Sequence, residues 1–161
     1  MRKVIPCIAV GLTLVGGGAY AATATTTFTV SATIAATCII NSASNLNFGS
    51  VGVLSANVDQ TSTISVQCTN TTGYNIGLDA GTGTGASVAT RKLTNGAVTI
   101  NYTLYSDPSH STVWGNTVST DTVAATGNGA AQSYTVYGRI PAQTTPAPNA
   151  YSDTITVTVT Y

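Results

Sequence analysis

A strict period of two runs through this chain and is most regular near its two ends. From Phe28 onward, Phe28, Val30, Ala32 and Ile34 fall on one face, and Thr27, Thr29, Ser31 and Thr33 on the other. Ile155, Val157, Val159 and Tyr161 alternate with threonines in the same way. Alternation of β-branched and aromatic residues with hydroxyl residues is the pattern of a strand with one buried face. Shorter runs of the same kind recur between turn signals, and no stretch shows a 3.6-residue period, so the fold class is an all-β sandwich. The strand expected at Phe28–Ile34 precedes Cys38 and can pair within its own domain or with a neighbouring molecule; the pattern admits both.

The first 21 residues read as a cleaved secretory signal peptide. Arg2 and Lys3 precede an apolar run from Val4 to Val15, three glycines follow, and Ala19-Tyr20-Ala21 supplies an A-x-A cleavage site. That run is shorter than the ~20 residues a bilayer span needs, and no second stretch qualifies. The expected organisation is a leader over 1–21, an N-terminal segment over 22–34 and a single exported domain over 35–161. Beyond the leader, Arg91, Lys92 and Arg139 stand against five aspartates, a net charge of −2 with no glutamate. Charged residues make up only 6% of the chain, where about a quarter is usual. A basic nucleic-acid surface is excluded on these numbers. A Thr-, Ser- and Asn-rich exterior suits either a surface packed against copies of itself or an ordinary secreted β-protein.

Cys7 leaves with the leader, so Cys38 and Cys68 remain. In an exported chain an even pair implies a disulfide, and no C-x-x-C suggests redox chemistry. Ile64, Val66 and Cys68 form one face of a second strand, and Tyr74, Ile76 and Leu78 that of a third. Residues 80–89, AGTGTGASVA, lack the lysine and following helix of a phosphate loop. Asn95-Gly96 predicts a two-residue hairpin turn with positive φ at both positions, returning Val98, Ile100, Tyr102 and Leu104 on one face. A weaker strand is expected over 117–125 and a stronger one over 133–140, followed by a loop with Pro141, Pro146 and Pro148.

Catalytic chemistry has little to work with. The one histidine, His110, lies in a loop and is expected to be solvated. Asp59, Asp79, Asp107, Asp121 and Asp153 are scattered, with no pair spaced for a metal or an acid–base dyad. No nucleophile elbow, zinc-protease or clustered Cys/His motif occurs. The expectation is a non-enzyme with no cofactor and no metal. Trp114 beside Gly115 is either a buried anchor or a platform for a sugar ring.

Several pieces in fixed order carry a resemblance. They are Phe28-x-Val30-x-Ala32-x-Ile34 before Cys38, Leu46-Asn47-Phe48-Gly49, Ile64-Ser65-Val66-Gln67-Cys68 and Tyr74-Asn75-Ile76-Gly77-Leu78-Asp79. Arg91-Lys92-Leu93, Tyr102-Thr103-Leu104-Tyr105-Ser106-Asp107, Val113-Trp114-Gly115 and the stretch from Tyr151 to Tyr161 complete the set. Together they resemble the spore coat protein U family, which includes subunits of archaic, Csu-type chaperone–usher pili. The resemblance implies an incomplete immunoglobulin-like sandwich completed by a donor strand from a neighbouring subunit, first held by a periplasmic chaperone and then assembled at an outer-membrane usher. It implies that Phe28, Val30, Ala32 and Ile34 are the donor residues, although Ile34 can instead continue into the subunit's own first strand. It also implies that Ile155, Val157, Val159 and Tyr161 line the acceptor groove and meet the chaperone. The function expected is a rod or adaptor subunit of a surface fibre for adhesion and biofilm formation. The competing readings are a secreted coat protein with a self-completed fold, and a monomeric carbohydrate-binding module using Trp114.

Overall fold

The computed structural model describes Gly18 and residues 20–161, so the expected leader lies almost wholly outside the described residues. The chain divides into two units, Met1–Thr33 and Ile34–Tyr161. The described residues of the first form neither helix nor strand, and every one of them is exposed. The period of two at Phe28–Ile34 therefore does not yield a strand in the isolated chain. A strand needs a partner edge for its backbone N–H and C=O groups and a surface for its apolar face, and this segment is in no sheet.

The second unit is a sandwich of eight strands. They are β1 (Cys38–Ala43), β2 (Val58–Cys68), β3 (Gly73–Leu78), β4 (Arg91–Asn95), β5 (Val98–Tyr105), β6 (Val123–Thr126), β7 (Ala131–Ile140) and β8 (Val157–Thr160). One sheet runs β1-β2-β7-β5-β4 and the other β6-β3-β8, and every paired strand is antiparallel. The inner faces follow the period of two. Ile64, Val66 and Cys68 of β2, Ile100, Tyr102 and Leu104 of β5, and Val136 and Ile140 of β7 face Tyr74, Ile76 and Leu78 of β3. Antiparallel sheets packed face to face with alternate residues inward are the immunoglobulin-like architecture.

Three local expectations change. The β4–β5 hairpin pairs Asn95 with Val98, so its central residues are Gly96 and Ala97. Only Gly96 has positive φ, at 58°. Glycine in first place is the II′ pattern, and it leaves Asn95 in the ladder. The strand expected over 117–125 shrinks to β6, because residues 117–121 close a turn. There the Thr120 and Asp121 N–H groups donate to the Thr117 carbonyl, while Asp121 Oδ1 accepts from the Thr117 N–H at 2.7 Å. The last strand begins late. Ser152 first exchanges two backbone hydrogen bonds with Thr94 of β4, at 2.8 and 3.1 Å, and the chain then crosses to the opposite sheet as β8.

Trp114 is an anchor. It is 1% exposed, and its indole N–H donates to the Ile76 carbonyl at 2.8 Å. Arg91, which has a place in a matching piece of the sequence but no role assigned there, is fully buried. Its guanidinium donates to four backbone carbonyls, those of Asp79, Val88, Leu78 and Trp114, at 2.7–2.9 Å. These groups belong to β3, the turn before β4 and the Trp114 segment, so one side chain ties the two sheets together at this end.

His110 is not solvated. Its side chain is 8% exposed, set edge-on between the rings of Tyr105 and Tyr137. Its Nε2 lies 3.7 Å from Asp59, whose carboxylate Arg139 grips with two bonds of 2.7 Å. The loop turns inward because Asp107 accepts hydrogen bonds from the Ser109 hydroxyl and from the Ser111 and Thr112 N–H groups.

Hydrogen bonds from Arg139 hold the Asp59 carboxyl below its usual range, and those from Ser109, Thr112 and Ser111 do the same for Asp107. A folded-state pKa below the unfolded value of about 3.9 contributes stability that is present above that pH and lost as pH falls through the folded value. Thermal unfolding followed from pH 7 to pH 2 is thus expected to show a level melting temperature down to about pH 5 and a decline below about pH 4. A melting temperature that rises on acidification would contradict these pairings.

Candidate strand-acceptor groove

β8 pairs with β3 along one edge, and no described strand pairs with the other. Across from that free edge lies β1, the outermost strand of the five-stranded sheet. A cavity of about 1200 Å³ reaches Ala43 at the end of β1 and Val157 at the start of β8. Ile64, Leu78, Ile100, Tyr102, Leu104 and Val136 form its floor. Its walls are the β1–β2 loop from Ser44 to Leu54 on one side and the segment from Thr145 to Ile155, continuing into Val157, on the other. These walls are tied at one point: Leu54 donates its N–H to Thr145 Oγ1 at 2.8 Å and accepts from the Gln143 N–H at 2.9 Å.

The two ends of the groove differ. At the end where β1 begins, the core is filled: Tyr74 and Tyr134 meet edge to face, and Val66 and Cys68 are fully buried. At the loop end, the floor residues are buried beneath the two loop walls. Leu46 and Phe48 are half-buried there. Leu46 packs where only a glycine permits, since a Cβ on Gly138 would lie 2.6 Å from its side chain, while Phe48 meets Tyr102 edge-on at 6.4 Å.

Of the expected acceptor residues, Ile155 and Val157 line the cavity. Val159 packs against the filled end of the core, and Tyr161 is 59% exposed. Ile155, Val157 and Val159 are each only half-buried, although their faces point inward. Sequence reasoning passes over Ile40 of β1, which is not among the residues lining the cavity. It pairs with Val66, which is fully buried, yet is itself 42% exposed. An inward apolar residue left exposed is what a missing neighbour produces. The signal for it was its two-residue spacing from Cys38.

Cys38 and Cys68 form a disulfide between directly opposed positions of β1 and β2. Closing that loop stabilises the domain by roughly 3–4 kcal/mol in the chain-entropy model, and it fixes the edge strand on which the groove's second wall depends.

Phe28, Val30 and Ile34 are 87%, 84% and 82% exposed, and Ala32 is exposed with them. An uncovered apolar row of this length is an aggregation hazard unless something receives it. Trp114 offers nothing to a sugar ring, because its faces are buried. Among the described residues no group of three or more His, Cys, Asp or Glu side chains is arranged to hold a metal ion, and no helix is long and apolar enough to cross a membrane.

No curated protein matches the chain. Among solved structures, a chain of the CsuC–CsuE chaperone–tip adhesion subunit pre-assembly complex, from the archaic chaperone–usher Csu pili of Acinetobacter baumannii, superposes with a TM-score of 0.60. The superposition has 19% identity and covers 80% of this chain and 41% of that one, so this chain spans less than half of its length and the likeness is one of fold. The family model of the Spore Coat Protein U domain matches residues 24–158. That match takes in both the exposed segment and the groove, and the chain belongs to the Spore Coat Protein U domain family.

Proposed function

We propose that this chain is a structural subunit of an archaic-type chaperone–usher pilus, polymerising by donor-strand exchange into a surface fibre that serves adhesion and biofilm formation. The observation that carries this reading is a pair of complementary defects in one molecule. A sandwich lacks a strand beside β8, and a segment with the pattern of a strand lacks a sheet. Insertion of one copy's Phe28–Ile34 into another's groove removes both. Main-chain hydrogen bonds satisfy the free edge of β8, and alternate side chains enter the cavity. Each large apolar side chain so buried contributes ~1.5–3 kcal/mol, and Ala32 less.

Before assembly the groove is an exposed apolar patch with an unpaired edge. A periplasmic chaperone is the partner that covers it, and an outer-membrane usher is where the exchange takes place. The chain acts as a building unit rather than an enzyme. It reaches the cell surface through the periplasm.

The test compares the chain beginning at Ala22 with one beginning at Thr33, each produced in the periplasm with an archaic-type chaperone. On unheated denaturing gels the longer chain is expected to give a ladder of multimers that collapses on boiling, and the shorter chain none. A chaperone-independent monomer from the longer chain would reject the proposal.

A further inference from the structure

The β1–β2 hairpin carries apolar features at both of its ends. At the groove's loop end, Val51 and Val53 are 39% and 81% exposed. They are held there because the next residue, Leu54, is buried and bonded to Thr145 and Gln143. At the other end, about 35 Å away along the eleven residues of β2, lies a hollow of about 380 Å³. Thr37, Ile39, Cys68 and Thr69 line it, with Ile34 on its rim. Ile39 points away from the core and is 53% exposed. The hollow is rigid: Thr37 and Thr69 exchange hydrogen bonds of 3.1 and 2.9 Å, and the disulfide lies beneath.

We infer that these are the two halves of a head-to-tail contact between copies of this chain, in which Val51 and Val53 of the accepting copy seat against Ile39 and Thr37 of the donating copy. The inference rests on the donor-strand reading. If the inserted strand runs antiparallel to β8, its last residue, Ile34, arrives beside Ile155, at the loop end of the groove. Only Ala35, Ala36 and Thr37 separate Ile34 from the donor's first strand, at most about 11 Å of chain. The donor's hollow is therefore delivered onto the acceptor's valines. A strand running parallel to β8 would bring the hollow to Tyr161 instead, so the contact also fixes the direction of insertion. A knob and a hollow on opposite ends of one molecule make a heterologous contact, which repeats without closing and builds a filament.

The test places the photo-cross-linker p-benzoylphenylalanine at Ile39 in the chain beginning at Ala22, isolates the boil-sensitive multimers and maps the irradiated peptides. The expected cross-link joins position 39 of one copy to the Val51–Val53 loop of the next. Multimers whose cross-links run instead to the Tyr161 end, or stay within one copy, would overturn the contact and leave donor-strand assembly standing. Absence of any ladder from the unsubstituted chain would overturn both.

Discussion

On the donor-strand reading, chains carrying Val30→Asp and chains carrying Ile155→Asp are each expected to form no multimers alone, and a mixture of the two is expected to yield a dimer that grows no further. Val30 lies at the middle of the exposed apolar row, so an aspartate there spoils donation and leaves the groove intact. Ile155 lines the groove but precedes the bonded residues of β8, so an aspartate there spoils acceptance and leaves both the β3–β8 ladder and the donor segment intact. In the mixture, the segment of the Ile155→Asp chain enters the groove of the Val30→Asp chain. The product then has one dead groove and one dead donor. Each substitution removes the burial of one large side chain and sets a carboxylate against an apolar surface, a loss of about 4 kcal/mol, or about a thousandfold in association. Size-exclusion chromatography and unheated gels read the outcome. Ladders from either variant alone would show that the residue changed is not part of the exchange.

Arg91→Leu is expected to lower the unfolding free energy by at least about 4 kcal/mol, enough to leave a marginal domain unfolded at 37 °C. Arg91 is fully buried and satisfies four carbonyls, those of Leu78 and Trp114 in fully buried pairings. Each carbonyl left without a donor costs ~1–3 kcal/mol. Arg91→Lys keeps the charge but cannot present a planar fork to four acceptors, so it should fall between the two. Urea unfolding followed by the fluorescence of Trp114, whose backbone carbonyl is one of the four acceptors, measures all three chains. A loss under about 1 kcal/mol for Arg91→Leu would mean that the four carbonyls find other partners.

The inward faces of β2, β3, β5 and β7 could be read directly, because a period of two is a local property of consecutive residues. Ile64, Val66 and Cys68, or Ile100, Tyr102 and Leu104, needed no knowledge of what they pack against. The disulfide followed equally simply, from two cysteines in an exported chain. Places where a strand fails were harder to read. Residues 117–121 alternate no worse than those of β6, but the Asp121 carboxylate bonds the Thr117 N–H and closes a turn. Asn95-Gly96 carried the hairpin signal, yet the register of β4 on β5 moved the turn one residue along.

Arg91 and His110 show the limit of local reading. The acceptors of Arg91 lie up to 23 residues away in the chain, and the ring contacts of His110 come from β5 and β7. Nothing near either residue announces its burial.

The sequence by itself determined an all-β sandwich with a single disulfide, poor in charge and in titratable chemistry, with an apolar alternating segment ahead of Cys38. These follow from composition and short-range periodicity, which the chain carries whether folded or not. Only the tertiary structure decided that a cavity opens beside the start of β8 and the end of β1, that Ile40 is left 42% exposed opposite the buried Val66, and that the segment at Phe28–Ile34 has no sheet of its own. A vacancy belongs to the packing of distant elements. It depends on which strands meet across the sandwich and which edge remains without a partner, and no run of consecutive residues records that.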